Sequence, residues 1–195
     1  MGQRHFSELS DMGNADDSDV ERSLVRPLGP LEVLQSYTRG QKVALPDAPI
    51  TVQIDGDQPL EDMPWSHIVP VVSERFREFL ERRAAGNAQF FPVRLEGPGK
   101  LLPKSPYYVV NWTNILPAID MDKSRYHRRP LYEGSMQKFI SFDSIVIDDK
   151  RVPTGVRVFR LKDFHVTVVT DDEFVNEIKA HGLSGVQFYK LERPL

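Results

Sequence analysis

Cysteine is absent from the 195-residue chain. That excludes thiol catalysis, cysteine-ligated zinc and a disulfide scaffold, and it fits a reducing compartment. Long apolar runs are missing as well. No stretch approaches the roughly 18 uncharged apolar residues that read as a membrane-spanning helix. The opening "MGQRHFSELSDMGNADD" lacks the apolar segment of a signal peptide. It also places Phe6 where a myristoylation pattern needs a small hydroxyl residue. An excess of one charge is not present either: 25 basic and 28 acidic side chains leave a net charge of −3. No Lys/Arg block marks a nucleic-acid footprint, and "YHRRP" at 126–130 reads as a solvated loop.

The signatures of common chemistries are absent in turn. Neither a G-x-x-x-x-G-K-[ST] loop nor a strand-led G-x-G-x-x-G appears, so no phosphate cradle is predicted. The histidines are His5, His67, His127, His165 and His181, and no two have the H-x-x-x-H spacing of a zinc helix. In "DMDKS", Asp120 and Asp122 resemble the start of a calcium loop, but the later oxygen ligands and the glycine are missing. Ser184, in "AHGLSGVQFYKL", stands among glycines like a nucleophile. A nucleophile elbow, however, is G-x-S-x-G on a turn from strand to helix. Here the second glycine comes one place early, and the turn runs from helix to strand, where the dipole opposes an oxyanion. Ser184 is therefore a turn residue. Asn111-Trp112-Thr113 matches a glycosylation acceptor only formally, and Trp65 and Trp112 read as core.

What is present is a pattern of short strands and two helices. The first 22 or so residues are polar and predict a loosely attached end. Residues 23–195 predict a single domain, in which the stretch to about 70 is a candidate subdomain of irregular β structure. Many of the 15 prolines fall in that stretch, and "ITVQI" runs into the turn Asp55-Gly56-Asp57. A first helix is predicted at about 73–85, with Ser73 as N-cap and Phe76, Phe79 and Leu80 on its buried face. Gly86 ends it. Pro92, in "QFFPVRL", predicts an edge strand or a bulge. Strands follow in "PYYVVNW", "KFISFDSIVI", "VRVFRL" and "HVTVV". A second helix is predicted at about 171–181. Thr170 would cap it in a T-D-D-E box with Glu173, and Val169 and Phe174 would form a staple. Gly182 stops it before the last strand. The two helical units, "VVSERFREFLERRAAGNAQFFPV" and "VVTDDEFVNEIKAHGLSGVQFYK", read alike. Duplication and convergent capping explain this equally well. The fold class is α+β: a twisted, mainly antiparallel sheet with two principal helices.

The order of these pieces resembles a bacterial immunity-protein family of polymorphic toxin systems, first described from a myxobacterial protein and formerly a domain of unknown function. The residues that carry the likeness are "IVPVVSERFREFLE", "AQFFPV", "YYVVNW", "AIDMDKS", "VFRL" and "HVTVVTDDEFVNEIKAHGLSGVQF", within about 58–189. The resemblance implies a cytoplasmic protein that binds the effector domain of a cognate toxin and neutralises it by non-covalent occlusion. It implies no catalysis and no cofactor or metal, and neither a direct nucleic-acid nor a membrane partner. Independently of it, "DMDKSRYHRRPLYEG" at 120–134 is the preferred contact region, with Asp120, Asp122, Tyr126, Arg128, Arg129 and Tyr132 as candidate residues. A solvated connection is the plainer reading of the same stretch. The competing functional reading is a small enzyme or ligand-binding domain that brings His165 together with the Asp cluster at 120, 122, 143, 148 and 149.

Overall fold

The computed structural model describes residues 4–10, 24–29, 34, 36–37, 39–66, 69–84, 86–130, 138–162 and 164–191. In chain order the strands are β1 (Phe6–Ser10), β2 (Leu24–Pro27), β3 (Ile50–Asp55), β4 (Trp65–Ser66) and β5 (Val71–Ser73). Helix α1 (Glu74–Arg83) is followed by β6 (Ala88–Glu96), β7 (Tyr107–Trp112), β8 (Ile115–Leu116), β9 (Arg125–Pro130) and β10 (Lys138–Ser144). The chain ends with β11 (Val158–Leu161), β12 (Phe164–Asp171), α2 (Asp172–Ala180) and β13 (Gln187–Lys190). These strands form a six-stranded sheet, β4-β2-β3-β6-β7-β5, a five-stranded sheet, β13-β1-β12-β11-β8, and a two-stranded ribbon, β9-β10. Pairing is mainly antiparallel; β2–β4, β3–β6 and β8–β11 are parallel. The protein is α+β.

The middle of each large sheet is covered on both faces, which accounts for the buried runs of β7, β11 and the second half of β12, whereas β2 and β3 alternate. Between them lies a core of Val72, Val110 and Trp112 from one sheet, Leu9, Val158 and Val168 from the other, and Phe76, Phe79, Phe174 and Ile178 from the helices. The outer face of the six-stranded sheet packs Val52, Phe91 and Val109 against Leu34 and Tyr37. The outer face of the five-stranded sheet packs Phe6, Phe159 and Val169 against Ile119, Ile145 and Ile147.

The two helical units have the same topology. In each, a strand runs directly into a helix, the helix returns to a parallel strand, and an antiparallel strand lies between the two: β7 between β5 and β6, β1 between β12 and β13. The likeness extends to single bonds. Ser73 caps α1 by accepting from Phe76 N, and Asp171 caps α2 by accepting from Phe174 N. Each cap residue pairs with the first residue of the middle strand, Tyr107 or Phe6. The next amide in each unit, Glu74 N or Asp172 N, donates to the carbonyl just before that strand, Pro106 O at 2.9 Å or His5 O at 3.0 Å.

Several expectations are corrected. Residues 6–10, predicted to be loosely attached, form the middle strand of a unit whose other parts lie more than 150 residues away, with Phe6 and Leu9 buried. Residues 11–23 lie outside the described residues. The cap of α2 is Asp171, not Thr170: Asp171 Oδ1 accepts from Phe174 N at 2.8 Å, while Thr170 is paired on both edges of β12, with Ser7 and Val158. Val169 and Phe174 do not form a staple; they point into different cores, and Glu173 is drawn towards Arg157 at 3.6 Å. Pro92 is neither on an edge strand nor in a bulge. It stands where β6 changes neighbours, since residues up to Pro92 pair with β7 and residues from Val93 on pair with β3. A residue without an N–H interrupts a ladder least at such a handover.

Candidate partner-binding surface

The stretch expected to be a charged connection is in large part a β-ribbon. In β9, "RYHRRP" pairs antiparallel with "KFISFDS" of β10, and the joining residues 131–137 lie outside the described part. Among the described residues no further strand pairs with either member, so the ribbon keeps both edges. It is fastened firmly at its root. Asp120 N donates to Val146 O at 2.9 Å, Val146 N donates to the buried Ser124 Oγ at 2.9 Å, and Ile119 bridges Ile147. The sequence promotes this locally: Asp120 Oδ1 accepts from Asp122 N at 3.2 Å and Lys123 N at 3.3 Å, a turn that a short carboxylate side chain stabilises.

The register then sorts the side chains. Tyr126 lies opposite Phe142, with ring centroids 5.8 Å apart, and Phe142 packs in turn on Phe164 at 5.3 Å. The guanidinium of Arg128, two residues on, sits over the Tyr126 ring at 6.0 Å. This stack holds Tyr126 half-buried and leaves Arg128 exposed at its outer end. The pairing shifts at Asp143, so this residue bulges out and meets His127 Nε2 at 2.8 Å. Bulges commonly re-aim a side chain in this way. Both groups of that pair are more than half exposed, so it adds little stability.

Of the six candidate contact residues, Asp120 is occupied in the turn, Asp122 is exposed beside it, and Tyr126 and Arg128 share one face of the ribbon. Arg129 has its backbone in β9, opposite Phe139. Tyr132 lies outside the described residues. Sequence reasoning missed Phe142, Phe164 and the His127–Asp143 pair. The available signal was the period-two match of "RYHRR" with "FISFD", which the density of charge obscured.

The catalytic constellation does not assemble. His165 is exposed on β12, and its carbonyl is held by Arg160 Nη1. The acidic residues are spread over separate structural tasks. Asp143 binds His127, Asp148 caps the short 3-10 turn Asp149–Arg151, and Asp149 pairs with Arg4 at 2.7 Å. Among the described residues no group of three His, Asp or Glu could hold a metal ion. Asn111 is fully buried and donates to Gln41 O at 2.8 Å, so it is no glycosylation acceptor in the folded protein.

Ser184 is one half of a clasp. Its N–H donates to Asp62 Oδ2 at 3.0 Å, and its Oγ accepts from Asp62 N at 3.1 Å. The other Asp62 oxygen accepts from Ser73 Oγ at 2.7 Å, and Arg75 Nη2 reaches Oδ2 at 2.6 Å. Burial alone would raise the Asp62 carboxyl, but the bonds from Ser184, Ser73 and Arg75 outweigh it and hold the group below the usual carboxylate range. Gly185 completes the joint at φ +80°, where a Cβ would lie 2.2 Å from Met63 O. The serine fastens the turn after α2 to the cap of α1.

Comparison with protein families decides the wider identity: residues 13–193 match the profile of the Immunity protein family (Imm11). The chain belongs to this family. Membership spans nearly the whole chain, including the segment before residue 58, where no resemblance had been legible. Comparison with curated proteins finds no significant match. Among the described residues of this Imm11 protein, no helix is long and apolar enough to cross a membrane.

Proposed function

We propose that this Imm11 protein binds the effector domain of a cognate polymorphic toxin in the cytoplasm and neutralises it by non-covalent occlusion, without catalysis or a cofactor. Family membership over residues 13–193 carries the reading. The contact region we assign is the β9–β10 ribbon with its turn: Tyr126 and Arg128 foremost, then Asp122, Arg129 and Tyr132, with Asp120 shaping the turn. Tyrosine and arginine are the types enriched at interfaces. A root fixed by Ser124 and Val146 and the pairing of β9 with β10 hold Tyr126 and Arg128 in place before binding.

The deciding experiment is co-expression with the toxic C-terminal domain encoded by the neighbouring gene. Survival of the cells, with both proteins soluble, is the expected result; death under those conditions overturns the reading for that pair. Tyr126→Ala combined with Arg128→Glu is expected to weaken effector binding about 10-fold or more and to leave the melting temperature within a few degrees of wild type. Unchanged affinity in calorimetry would remove the ribbon face from the interface.

A further inference from the structure

At the root of the ribbon, between β10 and the β1–β13 edge of the five-stranded sheet, lies a cavity of about 330 Å³. Phe142, Phe164 and Tyr189 line it, together with Glu8 and Ser144. Two observations show that its polar groups are underused. Ser144 is only 8% exposed, and its buried Oγ has no hydrogen-bond partner. Glu8 has one long contact, from Thr167 Oγ1 at 3.4 Å, and among the described residues no cation pairs with it. Burial accordingly pushes the Glu8 carboxyl up, offset only in part by Thr167. The remaining charged groups on the lining are Lys190 and Asp143, the latter already bonded to His127 at 2.8 Å.

We propose that this pocket receives a basic side chain, a lysine or an arginine, from the protein partner. The stem would lie along Phe142, Phe164 and Tyr189, and the head would donate to the Glu8 carboxylate. Ammonium and guanidinium groups are donors only, which suits a carboxylate that has, among the described residues, Thr167 Oγ1 as its one donor. Aromatic walls add cation–π attraction, and an aliphatic stem suits an apolar passage. An anionic guest would meet Glu8 and Asp143, and a purely apolar one would desolvate the Glu8 carboxylate further with only Thr167, among the described residues, to bond it. The inference rests on the toxin-binding reading for the identity of the partner, but the chemistry of the pocket can be tested without it.

The first test titrates the full chain with n-butylguanidinium and follows the ring resonances of Phe142 and Tyr189 and the amide of Ser144 by NMR. Saturable shifts in wild type that vanish in Glu8→Gln, and that n-butyrate does not produce, are the expected result. No saturable shift, or the same shift in Glu8→Gln, overturns the proposal. Glu8→Gln is suited to this because it keeps the side-chain shape and removes a charge that burial disfavours, so the fold is retained. The second test measures affinity for the effector domain, where Glu8→Gln is expected to bind roughly 10- to 100-fold more weakly. Wild-type affinity in Glu8→Gln, while the parent chain still rescues cells, overturns the pocket and leaves the immunity function standing. Should the parent chain itself neither bind nor rescue, the functional reading falls, and the butylguanidinium titration alone decides the pocket.

Discussion

Asp62 shows how much a single carboxylate can organise. It collects Ser73, the cap of α1, then Arg75, and then Ser184 from the turn after α2, all within 3.0 Å of one or other oxygen. Charge-assisted bonds of this kind contribute more than neutral ones, so Asp62→Ala is expected to lower the unfolding free energy by about 2 kcal/mol or more in urea titrations at pH 7. Its folded-state pKa lies below the unfolded value of about 3.9. The stabilisation is therefore fully present above that value and is lost as pH falls through the folded pKa. Wild type and Asp62→Ala should differ equally at pH 7 and 5.5 and converge below about pH 4. A gap that persists unchanged at the acid end would mean that the charge of Asp62 is not what holds the joint. Nothing in "EDMPW" announced this role, because all three partners are distant in sequence or on another element.

The start of α2 is a case where local sequence rules and the whole sheet disagree. "VTDDEF" offers a capping box at Thr170, yet that residue is held in β12 opposite both Ser7 and Val158. The cap moves one place on, to Asp171, which is only 5% exposed and has Arg157 3.5 Å away. Asp171→Ala is thus expected to cost about 1–2 kcal/mol. Thr170→Val, by contrast, should be neutral or stabilising, because Thr170 Oγ1 is buried without a partner and the valine keeps the shape. Urea denaturation of the two variants checks this, and the opposite ranking would restore Thr170 as the cap. The ribbon teaches the same lesson in reverse. A run of four basic residues in six carries no apolar alternation, so "RYHRRP" reads as loop until Phe142 and Phe164 supply the stack on which Tyr126 rests.

At the scale of the whole molecule, the decisive element is β1. It joins β12 to β13 by hydrogen bonds on both of its edges. It also sends Leu9 into the core between the sheets and Phe6 into the outer core. Burying such side chains contributes roughly 1.5–3 kcal/mol each, on a scale where total stability is about 5–15 kcal/mol. We propose that the described elements unfold as one cooperative unit and that no separate subdomain ends near residue 70. Strands β2 and β3 are hydrogen-bonded into the sheet that also holds β6 and β7, which supports this. Deleting residues 1–10 should abolish the single cooperative transition in circular dichroism, and a synthetic peptide of those residues should restore it in part. A truncated chain that melts as sharply as the parent, at a similar temperature, would show that β1 is dispensable.

Much of the local framework was legible from the amino-acid order alone. The helices at about 73–85 and 171–181, the cap at Ser73, the stop at Gly182 and most of the strands follow from short-range sterics, capping and periodicity, although the first helix ends at Arg83 with Ala84 as its cap, two places before Gly86. Those forces act over a few residues, so a few residues reveal them. The same reasoning withdrew Ser184 from catalysis, because the sign of a helix dipole depends only on which end of the helix the serine follows. The tertiary structure alone decided the rest: the first strand closing the last unit, Asp62 uniting two turns, the ribbon standing on Phe164, and Glu8 and Ser144 meeting across a pocket. Each of these depends on burial and on partners far apart in the chain. Desolvation, which leaves an ordinary serine unsatisfied and pushes a glutamate carboxyl up, exists only once the core has formed.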